Sequence, residues 1–258
     1  MSNIPKKIFI IPYRDRIPDK TLFIYYMKHI LEDEKGTFKF LFVHQDDKRQ
    51  FNRGANKNIG FLYVKETYPS DYKDITLIFH DIDTIPYKKG IFDYDTVRGV
   101  VKHFYGFKYA LGGMFAIKGA DFELTKGFPN FWSWGYEDNT LKDRWDKVSG
   151  GKYDYSQFLE ILHTDVLYLF HGYHKDTSKK TVYEYHKRNK NILDDGFHKV
   201  TNLKYDSEEV EEDVVMVNVK SFLVPIKEKD SPIFKDNVIN MAIRSKRRER
   251  KKNSPFLM

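Results

Sequence analysis

The stretch ITLIFHDIDTIP, residues 75–86, sets five largely apolar positions before a histidine and then two aspartates one residue apart, Asp81 and Asp83. A short apolar run bounded by polar residues reads as a buried strand. Strand side chains alternate with period two, so a strand continuing through Ile82 places Asp81 and Asp83 on one side. Two carboxylates so close repel one another unless both are solvated in a turn or a divalent cation sits between them and a phosphate. Carboxylates favour hard cations such as Mg²⁺ or Mn²⁺. An isolated D-x-D occurs often, and the solvated turn stays open on this evidence.

Upstream, KIFIIP (7–12) and FKFLFVH (38–44) are further buried-strand patterns. Between them TLFIYYMKHILED (21–33) spaces Leu22, Tyr25, Tyr26, His29 and Ile30 as one helical face, and GANKNIGFLYVKE (54–66) is a second helix. Strand, helix, strand, helix, strand predicts an α/β fold with a parallel sheet covered by helices on both faces. Such sheets bind ligands beyond the carboxyl ends of their strands. PYRDR, HQDD and HDID all fall there. Arg14, Arg16 and Arg53 bring guanidinium groups to the same ends, where they suit phosphate or pair with carboxylates such as Asp15 and Asp19.

Residues 98–150 are rich in glycine and aromatics. Within FPNFWSWGYEDNTLKDR (128–144), Trp132 and Trp134 offer ring faces for a sugar, Gly135 permits a turn, and Glu137 and Asp138 open a helix. A carboxylate beside a hydroxyl removes its proton during attack; acids at a helix N-terminus also simply stabilise the macrodipole. LFHGYH (169–174) spaces His171 and His174 three apart, with His163, Asp165 and His186 nearby. Imidazole with carboxylate favours Mn²⁺, and the alternative is a set of surface histidines. EEVEED (208–213) reads as an acidic turn before the strand VVMVNV (214–219), and the domain boundary is placed at 224, with 225–258 as a C-terminal extension.

Composition narrows the rest. Aromatic residues make up 16% of 258 residues, which predicts a ring-rich core. No run approaches the roughly 18 apolar residues of a membrane span. The N-terminus lacks a signal-peptide pattern, and cysteine is absent. A soluble, cytoplasmic protein of a reducing compartment is the expectation. The net charge of +7 is concentrated in RSKRRERKK (244–252), with seven basic residues and one acid. A tail of this kind is a solvated end, an address signal, or a contact for nucleic acid or an acidic surface.

Five segments, IIPYRDR (10–16), FNRGANKNIGF (51–61), FHDIDTIP (79–86), LGGMFAIKGADFELTKGFPN (111–130) and WSWGYEDN (132–139), occur in an order that resembles the β-1,4-galactosyltransferase family, over about residues 5–220. The resemblance implies a GT-A fold, a Rossmann-like nucleotide-binding sheet followed by an acceptor-binding part. It implies inverting, Mn²⁺-dependent transfer of a hexose, with galactose or N-acetylgalactosamine as the leading sugars, from a UDP-sugar to a glycan hydroxyl, with Mg²⁺ as the alternative ion. It places Pro12, Tyr13, Arg14, Arg16, Arg53, Asp81 and Gly113 around the donor, Asp83 on the metal with His174 or, in an alternative register, His171 as the principal histidine ligand, and Trp134 between donor and acceptor. Glu137 and Asn139 would bind acceptor, and Asp138 would be the general base.

Departures from the family pattern carry information too. Gly135-Tyr136-Glu137-Asp138-Asn139 stands where the family has Gly-Gly-Glu-Asp-Asp, which puts an N-acetylglucosamine acceptor in question. Ala110 stands where vertebrate members carry a tyrosine that crowds the donor C2, which leaves room for UDP-N-acetylgalactosamine. The Golgi members' membrane anchor and disulfides have no counterpart here, as in a bacterial or viral relative. Rival readings are a GT-A transferase of UDP-glucose, UDP-N-acetylglucosamine or UDP-xylose, and an inactive relative binding glycan or nucleic acid.

Overall fold

The computed structural model describes residues 4–132, 135–169 and 193–226. In chain order the elements are β1 (Lys7–Tyr13), α1 (Ile17–Ile30), β2 (Phe38–Gln45), α2 (Arg53–Thr67), β3 (Thr76–His80), β4 (Thr84–Pro86), β5 (Val101–Gly106), β6 (Met114–Lys118), α3 (Gly119–Leu124), α4 (Glu137–Ser149), β7 (Tyr153–Asp154), β8 (Leu159–Glu160), β9 (Val166–Tyr168), β10 (Thr201–Glu211) and β11 (Val214–Leu223).

Among the described residues one nine-stranded sheet runs β10-β11-β2-β1-β3-β6-β5-β7, with β8 also on β5. β11, β2, β1 and β3 are mutually parallel, as the alternation of strands and helices requires. β6 then pairs antiparallel with β3, so the sheet is mixed rather than parallel throughout. The expected strand at 214–219 extends to Leu223. The expected acidic turn at 208–213 is instead mostly strand: β10 runs through Glu211 and returns at Glu212 and Asp213. Edge position explains the acids there, because both faces of β10 are largely exposed to water.

Alternation along β1 builds the core. Ile8 and Ile10 face one side with Leu41, Val43, Leu77 and Phe79, under α2, α3 and α4. Phe9, Ile11 and Tyr13 face the other with Phe23, Phe40 and Phe42, under α1. Rings meet edge to face across this second layer, Phe9 with Phe40 at 5.2 Å and with Tyr94 at 5.0 Å, an arrangement that adds to simple area burial. α2 sits close to the sheet through Gly60, where a Cβ would lie 2.5 Å from the Ile10 Cγ2.

α1 departs from its sequence reading in two ways. It begins at Ile17 with Pro18 in its first turn, where the missing N–H has no partner to lose, and it ends at Ile30 rather than Asp33. Its inward face is Phe23, Ile24 and Met27, while Leu22 and Tyr25 are exposed. Among the described residues no helix is long and apolar enough to cross a membrane.

Candidate active site

The carboxyl ends of β1, β2 and β3 converge, and each contributes through the loop that follows it. β3 stops at His80 and the chain turns, so Asp81 and Asp83 project from a turn and not from a continuing strand. The imidazole of His80, packed on Phe9 and Phe23, contacts the Asp81 carbonyl through Nδ1 at 2.8 Å. The Asp81 amide donates to the Gly113 carbonyl at 3.1 Å. Ile82 is buried between the two aspartates and anchors the turn.

β4 leaves this turn and pairs antiparallel with β9, matching Thr84 to Tyr168 and Pro86 to Val166. The Leu169 amide donates to the Asp83 carbonyl at 2.8 Å. LFHGYH begins at that residue. Its His171 and His174, together with His186, the Trp134 of the sugar-binding expectation and the basic tail at 244–252, lie outside the described residues. His163 and Asp165 are described and face largely outward, 4.0 Å apart. Among the described residues no three His, Asp or Glu gather as a metal cluster. The donor chemistry nonetheless fits a divalent cation, since a hard carboxylate is held by main-chain bonding beside the strand that leads into two imidazoles.

α2 supplies the centre. Asn52 caps the helix by accepting from the Ala55 amide at 2.9 Å. Gln45, at the end of β2, accepts from the Asn52 amide and the Asn56 side chain. This buried amide network fixes the first turn, from which Arg53 points into the site. Its guanidinium contacts three carboxylates, Asp81, Glu137 and Asp138, the last at 2.8 Å. Burial alone would lower the Arg53 pKa, but Asp138, Asp81 and Glu137 together hold it well above its ordinary value, so it stays charged. The group expected at a phosphate is thus engaged by carboxylates. One turn later on the same face, Lys57 Nζ lies 3.0 Å from Asp138 Oδ1 and 4.4 Å from the centre of the Phe128 ring. Sequence reading did not single out Lys57; its helical spacing from Arg53 was the available signal.

The N-terminus of α4 presents the carboxylates, as expected. Gly135 and Tyr136 both take positive φ, 93° and 69°, and turn the chain so that Glu137 opens the helix. Glu137 is buried with one oxygen on Arg53 and the other, Oε2, without a hydrogen-bond partner among the described residues. Burial and then Asp138 push its carboxyl pKa up, against Arg53 and Lys57. Asp138 remains partly accessible, with a side-chain exposure of 17%. Its carbonyl accepts from the Leu111 amide at 3.0 Å. A Cβ on Gly112 would lie 2.5 Å from its Oδ2, so glycine there is what admits the carboxylate. Asn139 turns outward and donates to the Tyr109 carbonyl at 3.2 Å.

The remaining expected residues divide. Pro12 and Tyr13 complete β1 and are buried. Arg14 reaches the loop after β2, donating to the carbonyls of Gln45 and Arg49 and contacting Asp47 at 3.2 Å. Arg16 joins Asp83 at 3.3 Å and Asp19 at 3.8 Å, which brings it to the aspartate turn. Gly113, at φ 70°, lies against the Tyr105 carbonyl where a Cβ would come to 2.4 Å. Trp132 is no exposed sugar platform. It is buried, stacked on Phe222 at 5.5 Å and covered by Arg49, and its indole donates to the Ile226 carbonyl. Ala110 is buried.

Comparison with known proteins bears on the family and the fold. Residues 3–92 match the family model for the N-terminal region of glycosyl transferase group 7, and residues 96–175 match the model described as the N-terminal domain of galactosyltransferase. The chain is 31% identical over 173 residues to beta-1,4-galactosyltransferase 4 of Rattus norvegicus, covering 60% of this chain and 48% of that one. It is 30% identical over 154 residues to beta-1,4-galactosyltransferase 1 of Bos taurus, covering 54% and 36%. The chain thus spans about half the length, or less, of the curated relatives it matches. The catalytic domain of Drosophila beta-1,4-galactosyltransferase 7 in complex with xylobiose superposes with a TM-score of 0.67 at 20% identity, over 89% of this chain and 98% of that one. A mutant of the same enzyme in complex with manganese, UDP-Gal and xylobiose gives 0.68 at 19% identity, with the same coverage. The shared fold is GT-A.

Proposed function

The chain belongs to the glycosyl transferase group 7 family, and on that premise we propose that it moves galactose from UDP-galactose to a glycan hydroxyl, with inversion and in the presence of Mn²⁺. The observation that carries the proposal is the junction at Arg53. One guanidinium holds Asp81, at the nucleotide end of the sheet, and Asp138, at the mouth of α4. Donor-side and acceptor-side carboxylates therefore meet at one point, as a direct displacement between two bound sugars requires.

Asp83, His171 and His174 would hold the ion, which when bound neutralises charge on the departing diphosphate. Pro12, Tyr13, Arg14, Arg16, Asp81 and Gly113 form the donor side, with Arg53 available to phosphate once its carboxylates rearrange. Trp134 lies between the sugars in this assignment, with Glu137 and Asn139 on the acceptor. Asp138 accepts the acceptor hydroxyl's proton. Its contacts with Arg53 and Lys57 leave lone pairs on both oxygens, because a carboxylate offers about four acceptor positions. The acceptor oxygen then bonds to the anomeric carbon from the face opposite UDP, the bond to the diphosphate oxygen breaks, and its electron pair leaves with UDP. The catalytic unit is residues 1–224, with 225–258 as an extension.

Ala110 favours a second donor. Its side chain is small and buried, two residues before Gly112, and a methyl group there crowds a donor C2 substituent less than a larger side chain would, which suits UDP-N-acetylgalactosamine. Mn²⁺-dependent UDP release measured across UDP-galactose, UDP-N-acetylgalactosamine, UDP-glucose, UDP-N-acetylglucosamine and UDP-xylose tests both statements. Exclusive use of UDP-galactose rejects the second donor, and no release from any of them rejects the activity.

A further inference from the structure

A buried lysine is costly to desolvate and is kept where a specific partner repays it. Lys57 is such a residue, with its side chain 2% exposed. Its ammonium has the Phe128 ring on one side and Asp138 Oδ1 on the other, while Arg53 takes Oδ2 and the missing Cβ of Gly112 leaves room beneath the carboxylate. Arg53 is shared among three carboxylates, whereas among the described residues the only ion pair of Lys57 is with Asp138.

We propose that Lys57 is a positioning residue for the base, clamping the Asp138 carboxylate in the orientation that faces the acceptor. The inference rests on the assignment of Asp138 as base and goes beyond it. Arg53 alone cannot fix that orientation, since any movement toward a phosphate or toward Asp81 loosens its hold on Oδ2. Lys57, rooted one helical turn deeper and closed to solvent, keeps Oδ1 fixed while Arg53 moves. Two features follow. Loss of the ammonium affects the chemical step and not donor affinity, because among the described residues the contacts of the Lys57 ammonium are with Asp138 and Phe128 and not with a donor-side side chain. The charge, rather than the bulk, is what matters, because methionine fills the same slot against Phe128.

The absence of cysteine allows a clean test. Lys57→Cys has one thiol, which 2-bromoethylamine converts in the unfolded chain to a near-isostere of lysine before refolding. Transfer from UDP-galactose, UDP affinity by calorimetry and melting temperature are measured for wild type, Lys57→Met, Lys57→Cys before and after alkylation, and Asp138→Asn. Lys57→Met is expected to lower kcat by about tenfold or more, the scale of a misplaced catalytic group, with UDP-galactose KM and UDP affinity within about twofold. Alkylated Lys57→Cys is expected to recover most of that loss. A Lys57→Met kcat within about twofold of wild type, a parallel fall in UDP affinity, or no recovery in alkylated protein that binds UDP normally overturns the proposal. Where Lys57→Met fails to fold, the comparison of Lys57→Cys before and after alkylation decides. An inactive Asp138→Asn beside an unimpaired Lys57→Met removes this proposal alone; a fully active Asp138→Asn removes the base assignment and this proposal with it.

Discussion

The amide of Leu169 donates to the carbonyl of Asp83 at 2.8 Å, tying the segment that leads into His171 and His174 to the aspartate turn after β3. The two parts are 86 residues apart in sequence, yet the pairing of β4 with β9 sets them side by side. The proposed metal site, with one carboxylate and imidazoles from a segment remote in sequence, depends on that pairing.

Asp83→Ala is accordingly expected to abolish the Mn²⁺-dependent part of UDP binding, and transfer with it. Calorimetric titration of UDP with and without Mn²⁺ checks this. Retention of the Mn²⁺ enhancement in the variant refutes Asp83 as a ligand.

Gly112→Ala tests the other wall of the site. The added methyl carbon meets Asp138 Oδ2 at 2.5 Å, closer than atoms can approach, so the carboxylate must rotate away. Turnover is expected to fall by about ten- to a hundredfold with UDP affinity unchanged. Wild-type turnover in this variant means that Asp138 works from a different orientation.

Two buried histidines are expected to weaken the fold as the pH falls. Burial pushes His80 and His103 down to about 4 from an ordinary 6.5. The unfolded chain takes up these protons near pH 6.5 and the native chain only near pH 4, so stability is full above about 6.5 and falls through that window. Each group contributes up to about 3 kcal/mol of this loss. Glu137 and Asp121, whose carboxyls are pushed up mainly by burial, oppose it. Melting temperature recorded between pH 7.5 and 4.5 is expected to decline steadily, and His103→Gln is expected to flatten the slope. A slope left unchanged by His103→Gln contradicts the neutral, buried state of that imidazole.

Much of the N-terminal half was legible in the sequence because its elements are periodic. β1, β2 and β3 are short apolar runs closed by polar residues, and α2 is capped by Asn52. The inward face of α1 was not legible, because aromatic and aliphatic residues occupy nearly every position from Leu22 to Met27 and only packing decides which are covered. β10 was hidden by its acids, which both exposed faces of an edge strand tolerate. The end of β3 could not be foreseen either, since the turn at Asp81 is held by Gly113, more than 30 residues later. Within the site, the carboxylates of α4 announced themselves by composition. Lys57 did not, because its partner lies 81 residues away and only the fold brings them together.

The most direct measurement is turnover of UDP-galactose by Asp138→Asn beside its affinity for UDP in Mn²⁺. The substitution keeps the shape of the side chain at the mouth of α4 and removes its ability to take a proton. Transfer is expected to fall by about a hundredfold or more, the contribution of a positioned base, while UDP affinity stays at the wild-type value. Near-normal transfer by Asp138→Asn contradicts the account.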